Sequence, residues 1–478
     1  MKLQTNLFSS DCCENRSLYA HTQGEVTLSD ESARLAPGAV LETDAYMNLF
    51  DASFWLAHST VRKWRLEISA AGQAKVELLC RLSGQSSVCD SVEIDCREPG
   101  QYALRAPTDQ RGQFFLRMTA QEETALISAA FVTDELPRKE EIRLGAAICT
   151  YHRADRITRN LKRFQCSRFF DEADELYGKL QIHVADNGEE LPEAPCPFIR
   201  IFHNPNTGGS GGFTRALREF RARQEKLALS HVIFMDDDVD FLMESFYRLH
   251  AFLSYRDKGA SDAVIAGRMF RTDRRQVQYT AAEIWNGGDL RHIGFNCDMT
   301  EPGNLEAMND SAGAEYGGWW FCCFPMDFAM KNDPMPFFLH CDDVEYGLRH
   351  GGTPLLLNGI QVWHETSEYR QSPLIRYYDT RNPMFVNERY APDRVAPQAL
   401  YQAWFDSITK LHVEKDYCGE YMLIAAMRDY LKGPGFLARS GARRHRQLSE
   451  KRHYSRYENM IFWRLTALCF ILTRARNS

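Results

Sequence analysis

Hydrophobic and polar positions follow two different rhythms along the chain, and the change falls near residue 135. Before it, short runs alternate apolar with polar residues, as in Trp64-Arg65-Leu66-Glu67-Ile68-Ser69, Val76-Glu77-Leu78-Leu79, Phe114-Phe115-Leu116-Arg117-Met118 and Ala125-Leu126-Ile127-Ser128-Ala129-Ala130-Phe131-Val132. A period of two puts alternate side chains on one face of a strand, and several such strands separated by turns predict a β-sandwich over residues 1–135. The aromatics near its start, Tyr46, Phe50, Phe54, Trp55 and Trp64, suit either its core or a surface on which sugar rings stack. The polar run Asp134-Glu135-Leu136-Pro137-Arg138-Lys139-Glu140-Glu141 then reads as a linker. Beyond it, apolar strand-like runs alternate with helix-compatible segments, the pattern of a mostly parallel sheet covered by helices. Residues 142–385 are therefore expected to form an α/β domain, and 386–478 a helical region.

Candidate chemistry gathers at the C-terminal ends of these strands. Val232-Ile233-Phe234-Met235 reads as a buried strand, and Asp236-Asp237-Asp238 follows it directly. Open α/β sheets bind ligands at that edge. Three neighbouring carboxylates raise one another's pKa unless a cation lies among them, so the cluster suits Mg²⁺ or Mn²⁺ bridging to a phosphate; a solvated acidic turn is the plainer alternative. Leu144–Cys149 predicts the first strand of the sheet, followed by Thr150-Tyr151-His152-Arg153 and a basic helix with Arg156, Arg159, Lys162 and Arg163. Leu180–Ala185 predicts the second and ends in Asp186-Asn187-Gly188, where the carboxylate either accepts hydrogen bonds from a base or ribose or simply makes a turn. The third, Phe198–Phe202, leads into Asn204–Phe213, where Gly208, Gly209, Gly211 and Gly212 surround Ser210. Glycine permits positive φ and close backbone approach, and a helix over Thr214–Leu227 would offer free amides to an anion such as a nucleotide diphosphate. A flexible surface loop is the alternative, and the spacing matches neither the Walker nor the dinucleotide pattern.

Composition narrows the class further. The 478 residues suffice for two or three domains, and 44% hydrophobic with 25% charged residues is ordinary for a globular protein. A net charge of −7 gives no sign of nucleic-acid binding, and none is expected. The 14 cysteines include Cys12-Cys13 and Cys322-Cys323 but no CxxC spacing, which predicts reduced thiols in a cytoplasmic protein rather than a zinc site. Met1–Asn6 lacks the apolar core of a signal peptide, so export is not expected.

Taken in order, Asp186-Asn187-Gly188, the segment Asn204–Phe213 and Asp236-Asp237-Asp238 resemble glycosyltransferase family 2 with the GT-A fold, and within it the bacterial galactofuranosyltransferases. Gly318-Trp319-Trp320-Phe321-Cys322, Asp342-Asp343-Val344-Glu345-Tyr346-Gly347-Leu348-Arg349 and Trp363-His364-Glu365 extend the resemblance, which covers about Leu144 to Arg381. It implies a GT-A domain with a Rossmann-like mixed sheet, between the N-terminal β-sandwich and the C-terminal helices. It also implies that Asp236, Asp238 and His364 hold a divalent metal, with the imidazole favouring Mn²⁺ over Mg²⁺, and that the metal neutralises a leaving diphosphate. On the donor side the resemblance implies Arg153, Asp186, Asn206, Gly208, Gly209, Asp237 and Trp320, with Tyr151 and His152 nearby; on the acceptor side it implies Glu283, Trp319 and Asp342. Asp343 is expected to remove the acceptor proton, which makes the reaction inverting. Read bare, Asp342 and Asp343 are equally an N-cap and a first-turn acid, and a tryptophan pair equally fills a core. Tyr279 stands where a polymerising relative carries histidine, so the acceptor stays open.

The C-terminal region carries a charge asymmetry. Arg439, Arg443, Arg444, Arg446, Lys451, Arg452 and Arg456 precede the apolar run Met460–Leu472, which is too short for a bilayer span of ~20 residues. A basic segment beside an amphipathic helix suits an anionic membrane surface, and equally a helix packed on the catalytic domain. The expected location is cytoplasmic, peripheral to the inner face of the cell membrane. The expected activity is metal-dependent inverting transfer of galactofuranose from the UDP-sugar donor UDP-galactofuranose to a hydroxyl of a cell-surface or lipid-linked glycan acceptor. Another nucleotide sugar is the alternative donor, and a non-catalytic carbohydrate-binding protein the alternative class. The linkage and the formation of a homo-oligomer stay open.

Overall fold

The computed structural model describes residues 1–138, 141–194, 196–257, 262–286, 288–366 and 372–475. Alternation over the first part of the chain produces strands, and hydrogen bonds join ten of them into one sheet. Its longest element is the antiparallel hairpin Arg65–Leu82 and Gln85–Arg105. The first of these strands pairs with Thr124–Val132 along its first half and with Gln113–Ala120 along its second. The change of partner falls at Gly72, where φ is +114° and an added Cβ would lie 2.4 Å from the Glu123 carbonyl, so no side chain fits. One long bent strand therefore joins what alternation alone suggests are two separate sheets. Tyr46, Phe50, Phe54, Trp55 and Trp64 are each at most 6% exposed. Phe50 stacks on Phe131 with centroids 4.6 Å apart, and Phe54 and Trp55 pack on Phe252 of the next domain at 5.2 and 5.8 Å. These five rings fill the core and present no face to a sugar.

Within the expected linker, Lys139 and Glu140 lie outside the described residues, while the Arg138 amide donates to the Ser254 carbonyl at 2.9 Å. The α/β domain opens with β1 (Leu144–Thr150), α1 (Ala154–Gln165), β2 (Leu180–Asp186), β3 (Ile199–His203), α2 (Gly208–Arg221), β4 (His231–Asp236) and α3 (Met243–Tyr255). Two-residue β5 (Ile265–Ala266), β6 (Arg268–Arg271), β7 (Val277–Thr280) and the hairpin β8 (Ala282–Asn286) and β9 (Asp289–Ile293) follow, then β10 (Cys322–Pro325), α4 (Asp342–His350) and β11 (Gln361–His364). The main sheet runs β3-β2-β1-β4-β10-β5, with β1 to β4 parallel, β10 antiparallel to β4, and β5 antiparallel to β10. Its central strands read as continuous apolar runs because helices cover both faces. A second sheet carries Asp240–Phe241, β11, β6, β7 and Cys297–Asp298. Helix α3 ties this domain to the N-terminal sheet: buried Glu244 accepts from the Thr5 amide at 2.7 Å and pairs with Arg248 at 2.9 Å, and Arg248 donates to the Met47 carbonyl at 2.7 Å. A buried ion pair is tolerated when hydrogen bonds satisfy both partners, as here.

Five helices complete the chain: α5 (Pro373–Tyr390), α6 (Pro397–Val413), α7 (Tyr417–Tyr430), α8 (Pro434–Glu450) and α9 (Arg456–Ala475). The boundary expected at 385 falls inside α5. That helix packs on both α4 and α7, so the α/β domain and the helical region share it. Among the described residues no helix is long and apolar enough to cross a membrane.

Candidate active site

The order 3-2-1-4 reverses between β1 and β4, and ligand crevices open at the carboxyl ends of strands at such a point. Asp236 ends β4, and the turn after it runs through Asp237 and Asp238 to Asp240, which pairs with Trp363 of β11. That register lays His364 against the turn. Its Nε2 is 3.0 Å from an Asp238 oxygen and 3.7 Å from an Asp236 oxygen. One ligand atom from each of the three lies within 4.8 Å of the others. Two carboxylates and an imidazole form a donor set that fits Mn²⁺ or Mg²⁺. Asp237 points elsewhere: its carboxylate accepts from the Thr150 hydroxyl at 2.6 Å and from Arg153 at 2.9 Å. Burial pushes the Asp237 carboxyl up, and Arg153 opposes it. The same Arg153 nitrogen lies 3.0 Å from Asp238, so one guanidinium spans the acidic turn. Sequence reasoning passes over Thr150, although a hydroxyl on the last residue of a strand at the ligand edge is a readable signal.

Asp186, Gly208 and Gly212 make close contacts within the protein. The Asp186 carboxylate is 1% exposed and accepts from the amides of Gly188, Glu190 and Leu191 at 3.0, 2.8 and 2.8 Å. It anchors its own loop through both oxygens, one of which also lies 3.4 Å from His203 Nδ1. Gly208 has φ +75° and an added Cβ would lie 2.1 Å from the Phe338 carbonyl, while a Cβ at Gly212 would lie 2.1 Å from the Cys149 sulfur. These residues are glycine so that the start of α2 can press against β1 and the Phe338 loop. Asn206 caps the same turn by accepting from the Gly208 amide at 2.9 Å. At Gly209 the space for a Cβ is open to 4.0 Å.

Opposite this helix start, the chain enters α4 through Phe338, His340 and Cys341, all with positive φ of 78°, 61° and 67°. Side-chain-bearing residues in that region are strained, and such strain concentrates at working sites. The entry sets Asp342 and Asp343 in the first turn of α4; Cys341 holds the cap position, so neither acid is the N-cap. Burial pushes both carboxyls up. That of Asp343, half-buried and beside Asp342, is pushed to about 7. Its oxygen also accepts from the Val344 amide at 2.8 Å. Burial raises the Cys149 thiol, and Asp237, Asp236 and then Asp342 add to the effect, so this one side chain of β1 stands among both groups of acids. His340 lies 2.6 Å from Asp379 at the mouth.

Glu283 on β8 is buried, with its carboxyl raised by burial, and lies 2.7 Å from His292 on β9. Its charge is one of those that raise Asp343, so the expected acceptor carboxylate and the expected base are neighbours. The two tryptophans part company. Trp319 is 4% exposed, stacked on Phe234 at 4.2 Å with Phe213 and Tyr346 at its edges, and its buried indole N–H meets no hydrogen-bond partner among the described residues. Trp320 is half-buried over Gly318 and donates to the Gly267 carbonyl at 2.7 Å. Tyr151, 48% exposed, stands beside His152 with centroids 4.0 Å apart.

No family model matches the chain. Among curated proteins it is similar to galactofuranosyltransferase GlfT2 of Mycolicibacterium smegmatis, 23% identical over 443 residues that cover 84% of this chain and 66% of the relative. The galactofuranosyltransferase GlfT2 of Mycobacterium tuberculosis is 24% identical over 429 residues, covering 81% and 64%. The chain thus spans about two thirds of the length of these relatives. Among solved structures, a mannosyltransferase from Pyrobaculum calidifontis in complex with GDP-Man and Mn²⁺ is 13% identical, covers 72% of this chain and 89% of its own, and superposes with a TM-score of 0.34. A family 29 carbohydrate-binding module covers 27% of this chain and 90% of its own at 11% identity and a TM-score of 0.20. At those scores neither likeness carries an argument about this chain.

Proposed function

We propose that this protein is a metal-dependent, inverting glycosyltransferase of the GT-A type in glycosyltransferase family 2, moving galactofuranose from UDP-galactofuranose to a hydroxyl of a glycan acceptor. The observation that carries this reading is the division of labour across one crevice. A two-carboxylate, one-imidazole cluster ends β4 and β11, and a separate carboxyl poised at about 7 opens α4. Similarity to two galactofuranosyltransferases over most of the chain supports a glycosyltransferase and suggests the sugar.

Asp236, Asp238 and His364 would hold the Mn²⁺ or Mg²⁺ ion, which when bound neutralises charge on a leaving diphosphate. Arg153 spans Asp237 and Asp238 through one nitrogen, and its remaining donors suit phosphate oxygens. Asp237, fixed by Thr150, is placed for a donor hydroxyl. Asp343 accepts the proton of the acceptor hydroxyl, whose oxygen attacks the anomeric carbon opposite the UDP leaving group and inverts it. A base whose pKa lies near the working pH is matched to that task. Glu283, oriented by His292, offers an acceptor contact beside it, and Trp320 offers the exposed part of its ring for sugar stacking.

Replacing Asp343 by Asn tests the assignment. Transfer should fall by about 10²–10⁴-fold, the usual worth of a positioned base, while calorimetric binding of UDP with Mn²⁺ is retained. Equal loss of binding and transfer would remove Asp343 from the role of base.

A further inference from the structure

Helix α1 is basic on its outer face and carries one polar residue on its inner face. That inner stripe holds Ile157, Leu161 and Phe164, and with them Asn160, which is fully buried. A buried amide costs free energy unless its hydrogen bonds are met, and asparagine is a poorer helix former than leucine, so its presence here needs a cause. The acidic turn after β4 supplies one. Asn160 Nδ2 donates to the Asp237 carbonyl at 3.1 Å and to the Val239 carbonyl at 3.0 Å. Its Oδ1 meets no partner among the described residues, so the side chain is used for its two donors. The two carbonyls stand one residue to either side of Asp238, and a single planar amide therefore fixes the backbone from which that carboxylate projects.

The rest of the helix grips the same turn. Arg153, at its start, spans Asp237 and Asp238; Arg159 donates to Asp240, and Arg163 donates to the Phe241 carbonyl at 2.7 Å. Ten residues of α-helix rise about 15 Å, and the four steps from 237 to 241, if extended, reach about 14 Å. Helix and turn thus run side by side at matching length, and every residue from Asp237 to Phe241 meets a side chain from residues 153–163. Arg275 closes on Asp240 from the other side at 3.0 Å. The basic residues Arg159 and Arg163 are engaged with the turn itself, which gives the charge of this helix a use apart from any ligand.

We propose that Asn160 is a positioning residue for the divalent metal: it touches neither metal nor substrate, and it sets the direction in which Asp238 meets Asp236 and His364. The inference rests on the metal site proposed above. Without the clamp the backbone at 238 and 239 is free to rotate, which swings the Asp238 carboxylate away from His364 Nε2, 3.0 Å distant when the clamp is in place. The test is calorimetric titration of Mn²⁺ into the full chain with UDP present, for wild type, Asn160→Ala and Arg159→Gln. Asn160→Ala should weaken Mn²⁺ binding about 10–100-fold, the usual worth of an outer partner of a metal ligand. Raising Mn²⁺ to saturation should then restore UDP affinity, as mass action requires when only metal binding is impaired. A purely structural role would lower the unfolding temperature of Asn160→Ala and leave the Mn²⁺ affinity of the folded protein as in wild type, which overturns the proposal. Arg159 is 45% exposed, so Arg159→Gln should keep the fold, and by loosening Asp240 it should weaken Mn²⁺ about two- to fivefold. Where Asn160→Ala does not fold, an unchanged titration of Arg159→Gln overturns the proposal in its place. Absence of Mn²⁺ binding in wild type would overturn the metal site as a whole, whereas wild-type binding with unaltered variants removes only the part given to Asn160.

Discussion

Asp186 and Asp236 end the two strands that flank β1, in register with Thr150 and Cys149 of that strand, yet their carboxylates do opposite things. Asp186 gives its oxygens to three amides of its own loop. Asp236 and Asp238 turn theirs towards His364, which arrives from a different sheet. A strand-end carboxylate becomes a site when its oxygens meet groups from another element, and a structural anchor when the following backbone uses them first. The difference follows from the turns: the Gly188–Leu191 backbone folds back over Asp186, whereas Asp240 is drawn into pairing with β11 and holds the Asp236 turn open.

The comparison can be broken most forcefully at the cluster. Asp236→Ala or Asp238→Ala should cost at least about 100-fold in Mn²⁺ affinity measured by calorimetry with UDP present, since even outer partners of a metal site are worth 10–100-fold. Unchanged titration would return these acids to the status of a solvated turn. Asp186→Ala should act on stability instead. Stripping the acceptor from three amides, each costing about 1–3 kcal/mol when left unmet, should lower unfolding free energy by about 3 kcal/mol or more in urea titrations, with Mn²⁺ affinity of the folded protein close to wild type. A specific loss of UDP binding without loss of stability would instead put Asp186 in the nucleotide site.

A smaller effect sharpens the contrast across the crevice. With the Asp343 carboxyl held at about 7, kcat/KM should climb about tenfold per pH unit below that value and flatten above it. The stability contribution runs the other way. Folded Asp343 keeps a proton that the unfolded chain has released above about 4, so this contribution is present below that value and is lost as pH rises towards about 7. A profile flat from pH 5.5 to 8 would separate Asp343 from the rate.

How much of this could be read in the residues varied with the reach of the physics involved. Asp236-Asp237-Asp238 and Asp342-Asp343 are local concentrations of charge beside a strand and a helix start, and such patterns are visible without a fold. Glycine at 208 and 212 was visible as a demand for space, but the atoms demanding it belong to Phe338 and Cys149, distant in sequence. Trp319 and Trp320 are neighbours in the chain and turn to different surroundings, one into the Phe234 core and one over Gly318; residue type alone does not distinguish them. Partners such as Thr150 for Asp237, His292 for Glu283 and Asp379 for His340 arise from strand register and helix packing. In the N-terminal sheet, alternation marks the strands, but not the single long strand that joins them.

The most direct test is UDP release from a panel of UDP-sugars, with and without Mn²⁺, in the presence of a galactose- or galactofuranose-containing acceptor. Release that requires UDP-galactofuranose, the acceptor and Mn²⁺ together is the expected result. Acceptor-dependent release from a different UDP-sugar would contradict the donor assignment, and undiminished release without divalent metal would contradict the role given to Asp236, Asp238 and His364.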